Sequence, residues 1–304
     1  MGKVELCWEL HGRRGRPVMV LVHGLAGSLA SWDGAFVDQL VDDGFAVVAF
    51  DCRDSGRSTV LDEAPRYDLV AAARGDRSVV TYTLDDMADD TAGLLDTLGL
   101  GPAHLVGVSM GGMVAQTTAA RHPGRVLSLC SVMSTTGRRD VGQPSAEAAA
   151  VLARRAATGR RGFVAQELEN MEIIGSTDPR FVDLEWRRAR FERIYDHGVH
   201  PQGNGRQIMA MIASGDRSAS LASISVPTLV VHGEADPLVD VSGGRATAAA
   251  VEGAELLIVP GLGHELPPAT WPTVIPAIVA NARRGDGRTW RLEAPAHEAM
   301  RGRR

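Results

Sequence analysis

Six short apolar runs constrain this chain most: Val18–Val22, Phe45–Phe50, His104–Val108, Val126–Val132, Thr228–Val231 and Leu256–Val259. They are nearly all apolar instead of alternating apolar with polar. A strand of that kind buries both of its faces, as happens when helices cover a parallel sheet on two sides. Helical periodicity fills the gaps at Trp32–Val41, Leu84–Leu98, Met110–Arg121 and Trp271–Arg283. The alternation predicts an α/β chain built on a doubly wound, mostly parallel sheet. Val4–Leu10 predicts one further, antiparallel strand at the start.

The rhythm breaks at about Ser134 and resumes after Ser220. No strand-like run lies between them, only helix-like pieces at Ala146–Ala157, Gly162–Met171 and Pro179–Tyr195. The expected organisation is therefore a sheet core from 1–133 and 221–284, a helical cap insertion over 134–220, and a C-terminal tail over 285–304. At 304 residues and 44% hydrophobic, the chain has material for a sizeable core. Leu61–Arg77 is polar and reads as a loop bordering the entrance to the site.

Within this frame one pentapeptide carries chemistry. Gly107-Val108-Ser109-Met110-Gly111 follows an apolar strand and opens a helix. A nucleophilic serine on a sharp strand–turn–helix corner needs that placement, and it needs small residues two before and two after. A serine hydroxyl is a weak nucleophile, so a base must accept its proton and an acid must orient the base. Six histidines lie downstream: His122, His197, His200, His232, His264 and His297. His264 stands in Pro260-Gly-Leu-Gly-His264, a Gly-rich loop after the final strand, and is the expected base. His232 ends a strand, where a structural hydrogen bond is expected. His197 and His200 either line a pocket or face water.

Asp236 sits in a turn after the preceding strand, held by Pro237, and is the expected acid. Glu234 and Asp240 flank it. One strand earlier the sequence reads Met133-Ser-Thr-Thr, with no carboxylate. Two backbone N–H groups are expected to face the developing oxyanion. One is Met110, at a helix N-terminus. The other is Leu25, aimed by a strained turn at Gly24, with Ala26 as the weaker choice.

Other chemistry finds little support. Asp51-Cys-Arg-Asp-Ser-Gly-Arg-Ser58 reads as a structural loop tying neighbouring segments near the site. No phosphate-cradling or dinucleotide motif is present and no cluster has metal spacing, so no cofactor and no metal is expected. Cys7, Cys52 and Cys130 form no pair suited to a disulfide framework. A net charge of −5 without a basic stripe argues against nucleic acid. No apolar stretch reaches the ~18 residues a membrane span needs. With no secretory h-region at the start, a cytoplasmic protein is expected.

The motifs together resemble the α/β-hydrolase superfamily: His-Gly-x-x-Gly-Ser, Asp-x-Arg-x-x-Gly-x-Ser, Gly-x-Ser-x-Gly-Gly, Gly-x-x-Asp-Pro and Gly-x-Gly-His, in the family's order. The commonest form of the second motif has Gly where this chain has Asp54. That variant, with Pro-Gly-Leu-Gly-His-Glu-Leu-Pro, is similar to the branch containing aclacinomycin methylesterase. The resemblance implies cleavage of a methyl or other small alkyl ester on a bulky scaffold. Lactonases, thioesterases, C–C hydrolases and perhydrolases of this fold keep the same three residues. Some proteins of this fold are ligand receptors without catalysis, a reading against which the complete triad argues. The insertion is expected to set specificity through an apolar pocket for a small-molecule ester, with Trp186 as a lining candidate. That pocket predicts a preference for hydrophobic over charged esters.

Overall fold

A computed structural model describes residues 4–64 and 67–286. Seven strands form one sheet: β1 (Trp8–His11), β2 (Val18–Val22), β3 (Ala46–Phe50), β4 (Ala103–Val108), β5 (Val126–Val132), β6 (Thr228–Gly233) and β7 (Glu255–Val259). Their spatial order is β1-β3-β2-β4-β5-β6-β7. Only β1 runs antiparallel, against β3, and the other neighbours pair in parallel. Every residue of β2 and β3 is buried, as unbroken apolar runs require.

Successive residues of β4 point to opposite faces, and the two faces have separate cores. Leu105 packs with Leu84, Leu95 and Val114, which places α3 (Leu84–Thr97) and α4 (Met110–Arg121) on one side. Val106 packs with Phe36, Leu40, Ile275 and Ile278, which places α1 (Gly34–Asp42) and α11 (Trp271–Asp286) on the other. Local signals start these helices. The Asp33 carboxylate accepts from the Ala35 N–H, and the Thr83 N–H donates to the Asp86 carboxylate at 2.8 Å. No helix of the described residues is long and apolar enough to cross a membrane.

Four helices escape the sequence pattern. The Leu61–Arg77 stretch holds a short α2 (Leu69–Ala73), capped by Asp68. Between β6 and β7 lies α10 (Val241–Ala250). Between β5 and β6 come α5 (Ala146–Leu152), α6 (Gly159–Ile174), α7 (Leu184–His197), α8 (Pro201–Ser214) and α9 (Ser218–Leu221). Of these, α8 carries Gly203 and Gly205, which weaken a helix by about 1 kcal/mol each relative to Ala. Both are there for packing: a Cβ on Gly203 would overlap the Asp54 carbonyl, and one on Gly205 the Tyr67 ring.

The expected helix over Pro179–Tyr195 starts later, because the Asp183 carboxylate accepts the Trp186 N–H and sets the helix start at Leu184. Phe181 therefore leaves the helix and joins the core beside Leu262 and Trp271, while Leu184 is exposed. α6 and α7 pack through Phe163, Val164, Met171, Phe191 and Ile194. At the far end, α11 runs to Asp286, two residues past the expected core boundary. The remainder of the expected tail, and His297, lie outside the described residues.

Candidate active site

The turn at Ser109 joins β4 to α4 with almost no room. Ser109 has φ 56° and ψ −118°, a conformation that L-residues avoid and that costs about 1–3 kcal/mol. Three glycines make the corner possible. A Cβ on Gly107 would overlap the Gly111 carbonyl, one on Gly111 would overlap Val22, and one on Gly112 would press on Ser134. The Ser109 N–H donates to the Val132 carbonyl at 2.9 Å, and the Ser134 hydroxyl donates to the Ser109 carbonyl at 2.9 Å. The residue is thus held from both sides, with its hydroxyl projecting beyond the sheet edge.

The expected base and acid converge on that hydroxyl. His264 Nε2 lies 3.0 Å from Ser109 Oγ, and His264 Nδ1 lies 2.7 Å from Asp236 Oδ2. The second carboxylate oxygen of Asp236 accepts the N–H groups of Leu238 and Val239, each at 2.9 Å. Glu234 is exposed, and Asp240 instead caps α10 through the Ser242 N–H. Leu25 sits in a turn closed by the Gly27 N–H on the Gly24 carbonyl at 3.1 Å. The strained residue of that turn is Ala26, with φ 58°, and not Gly24. Gly24 is needed for another reason: its Cβ position lies 3.4 Å from Ser109 Cβ, so the loop can approach the nucleophile closely. The Met110 N–H opens α4, where its own helix supplies no acceptor.

The His264 loop is clamped from outside the sheet. Glu265, only 4% exposed, takes the Arg187 guanidinium in a two-point ion pair at 2.5 and 3.0 Å. The same carboxylate accepts the Ser176 N–H at 2.7 Å, and Arg187 also donates to the Ser176 carbonyl. The Gly263 N–H donates to Ser176 Oγ, and the His264 N–H to the Ile174 carbonyl. Nothing in the sequence pairs residue 187 with residue 265.

His197 and His200 are both half-buried and tied by hydrogen bonds. His197 Nε2 meets the Asp51 carboxylate at 2.7 Å, and His200 donates to the Gly56 carbonyl at 2.7 Å. Asp51 also accepts the N–H groups of Leu29 and Arg57, so one buried carboxylate joins three segments. Cys7, Asp51 and His197 bring three metal-ligating atoms within 4.8 Å of one another. Each Asp51 oxygen also accepts one backbone N–H. Arg53 reaches α3, on Asp90 at 2.6 Å.

Asp54 explains the departure from glycine in its motif. Its φ is 66°, where glycine is usual and Asp is tolerated. Its buried carboxylate then holds Arg206 of α8 at 2.6 and 2.8 Å, the Tyr82 hydroxyl and the Leu61 N–H. Those partners keep the Asp54 carboxyl below its ordinary range in spite of burial, which acts in the opposite direction. Trp186 is half-buried, and its indole Nε1 has no hydrogen-bond partner among the described residues. A surface groove between Arg180–Glu185 and Pro267–Ala269 contains none of Ser109, Asp236 and His264.

Two further histidines near the site are fixed in their neutral form. His23 donates to the Gly24 carbonyl and accepts the Cys52 N–H, and His232 donates to the Val239 carbonyl at 2.7 Å. Loss of hydration holds both below the ordinary value of 6.5. The unfolded chain therefore takes up these protons first as pH falls. The stability they confer is complete above about pH 6.5 and drains away below it, by up to about 1.4 kcal/mol per pH unit per histidine. Thermal melts at pH 7.5 and 5.5 are expected to show a lower midpoint at 5.5. His232→Gln should flatten that difference.

Comparison with known proteins fixes the class. Residues 17–267 match the family described as alpha/beta hydrolase fold, and the chain belongs to that family. It is a hydrolase, and the methylesterase branch that its motifs resemble stands among its relatives. It is similar to rhodomycin D methylesterase DauP of Streptomyces sp. (strain C5), 26% identical over 87% of this chain and 90% of the relative. It is similar also to 2-(acetamidomethylene)succinate hydrolase of Mesorhizobium japonicum, 27% identical over 82% of this chain and 81% of the relative. Among solved structures, a thermophilic esterase from Thermogutta terrifontis superposes with a TM-score of 0.65 at 25% identity, covering 92% of each chain.

Proposed function

We propose that this chain is a serine carboxylic-ester hydrolase that works through an acyl-enzyme on Ser109. The observation that carries the reading is the unbroken line from Ser109 Oγ to His264 to Asp236, at 3.0 and 2.7 Å, ending on a serine held at positive φ. His264 accepts the serine proton as Oγ attacks the ester carbonyl carbon. Asp236 holds the imidazole with its Nδ1 proton inward and stabilises the imidazolium. The N–H groups of Leu25 and Met110 receive the oxyanion. His264 then gives its proton to the departing alkoxide, and water releases the acid from Ser109 by the same two steps in reverse order.

Segment 134–220 acts as the cap over this centre and supplies the pocket, with Trp186 as part of its lining. The substrate is a small molecule with an apolar body, for which a methyl ester on a polyketide-like scaffold is the model. No cofactor is required by this scheme. A fluorophosphonate probe tests it: one equivalent should attach to Ser109 and stop ester hydrolysis. A folded chain that stays unlabelled would make the protein a ligand receptor, and the scheme would fall.

A further inference from the structure

The basic face of α7 lies across the catalytic end of the sheet. Arg187 is pinned to Glu265 beside the base, Arg193 reaches Asp33 after β2, and His197 reaches Asp51 after β3. β4, which ends at Ser109, lies beyond β2 in the sheet order on the side toward β7. A helix that runs from the loop after β7 to the loops after β2 and β3 therefore passes over the nucleophile. Arg190 is the residue on this face between the pinned positions.

Arg187 and Arg193 each have a carboxylate, and Arg190 has none: no carboxylate oxygen among the described residues lies within 4.0 Å of its guanidinium. Its one hydrogen bond is a long one, from Nε to the Ser31 carbonyl at 3.4 Å. Ser31 is the last residue of the helical turn following the Leu25 loop. The guanidinium lies over the Trp186 and Phe191 rings, 5.9 and 5.5 Å from their centres. Arg190 keeps some accessible area, yet lost hydration is the chief cause lowering its pKa, opposed by the more distant Glu265 and Glu167. Part of the guanidinium therefore stays accessible, with Nε its one nitrogen that donates to another of the described residues.

The energetics leave the cation under-compensated. Removing an ion from water is costly, and a cation–π contact returns only part of that cost. Glu265 cannot serve as counterion, since both its oxygens already hold Arg187. Beside Arg190 lies a second unsatisfied donor, the buried Trp186 Nε1 one helical turn before it. Two unfilled donors at positions 186 and 190 face the same side of the helix.

We propose that Arg190 binds an anionic group of the substrate, so that the natural substrate is an ester that also carries a carboxylate or an equivalent oxyanion. This deepens the ester-hydrolase reading and rests on it. It adds a charged pole to the pocket and so reverses the preference for hydrophobic over charged esters expected from the sequence. The guanidinium fork matches a carboxylate in two-point geometry, which a neutral ester group cannot exploit.

The test compares mono(4-nitrophenyl) glutarate with 4-nitrophenyl pentanoate, its neutral counterpart. Wild-type protein should prefer the charged ester in kcat/KM, mainly through KM. Arg190→Met should lower the ratio of charged to neutral kcat/KM at least tenfold, and Arg190→Lys should restore part of it. A wild-type preference for the neutral ester, or an unchanged ratio in both variants, would overturn the proposal. Calorimetry with glutarate on Ser109→Ala separates the two levels, because it needs no turnover. Binding that is lost on adding Arg190→Met supports the anion site even if fluorophosphonate fails to label Ser109. Labelling of Ser109 without glutarate binding leaves the hydrolase reading standing and refutes the anion site.

Discussion

Ser109→Ala is expected to lower kcat on a carboxylic ester by about 10⁶-fold while leaving the fold and its melting temperature close to wild type. Alanine keeps the strained backbone of the corner and removes only Oγ, so the change isolates the nucleophile. Steady-state kinetics beside a thermal melt checks both halves. Wild-type turnover in this variant would refute the acyl-enzyme. Ser109→Gly adds an internal control. Glycine adopts φ 56° freely, so this variant should lose turnover equally and gain about 1–2 kcal/mol of stability. A gain in stability on deleting the nucleophile would show that the strain belongs to the site.

Arg187→Met is expected to cost about 3–5 kcal/mol, because it strands the buried Glu265 carboxylate without its cation. Ser176 loses a partner at the same time, and the loop carrying His264 loses its anchor. Denaturant midpoints should fall, and the rate of fluorophosphonate labelling should fall with them. The double variant Arg187→Met/Glu265→Leu should recover most of the stability, since no charge is then left buried. Recovery of the labelling rate as well would mean that the ion pair supports His264 only by keeping the protein folded. Persistent slow labelling in a stable double variant assigns Arg187 a positioning role.

The sequence disclosed the parts of this molecule whose cause is local. The all-apolar runs at β2 and β3 and the corner at Ser109 follow from rules that span a few residues. Asp236 and His264 could be found because chain order and turn chemistry point to them, and the structure brings both to Ser109. The helix α8 stayed hidden because Gly203 and Gly205 depress helical propensity, and their justification lies on Asp54 and Tyr67, more than a hundred positions away. The helix α7 was legible, but its contacts were not: His197 meets Asp51, and Arg187 meets Glu265, through folding alone. In the Leu25 turn the strain falls on Ala26 and not on Gly24. Gly24 is there for closeness to Ser109, a property that torsional reasoning does not register.

The segment between β5 and β6 begins and ends at one point. Past β5, the Thr136 carbonyl accepts the Arg217 N–H, and a Cβ on Gly137 would overlap the Gly215 carbonyl. The Arg217 side chain binds the Thr135 and Gly215 carbonyls and Gln116 of α4, in surroundings dry enough to pull its pKa down to about 10. Entry and exit are therefore stitched together before any helix between them is counted. With the ends already joined, doubling the length of chain between them adds only about 0.6 kcal/mol of closure entropy. Residues 138–214 can thus change in length and sequence while Ser109, Asp236 and His264 stay on an unaltered sheet. The constraint on a replacement is that it carry new contacts for Asp51, Asp54 and Glu265, whose buried charges would otherwise be left bare.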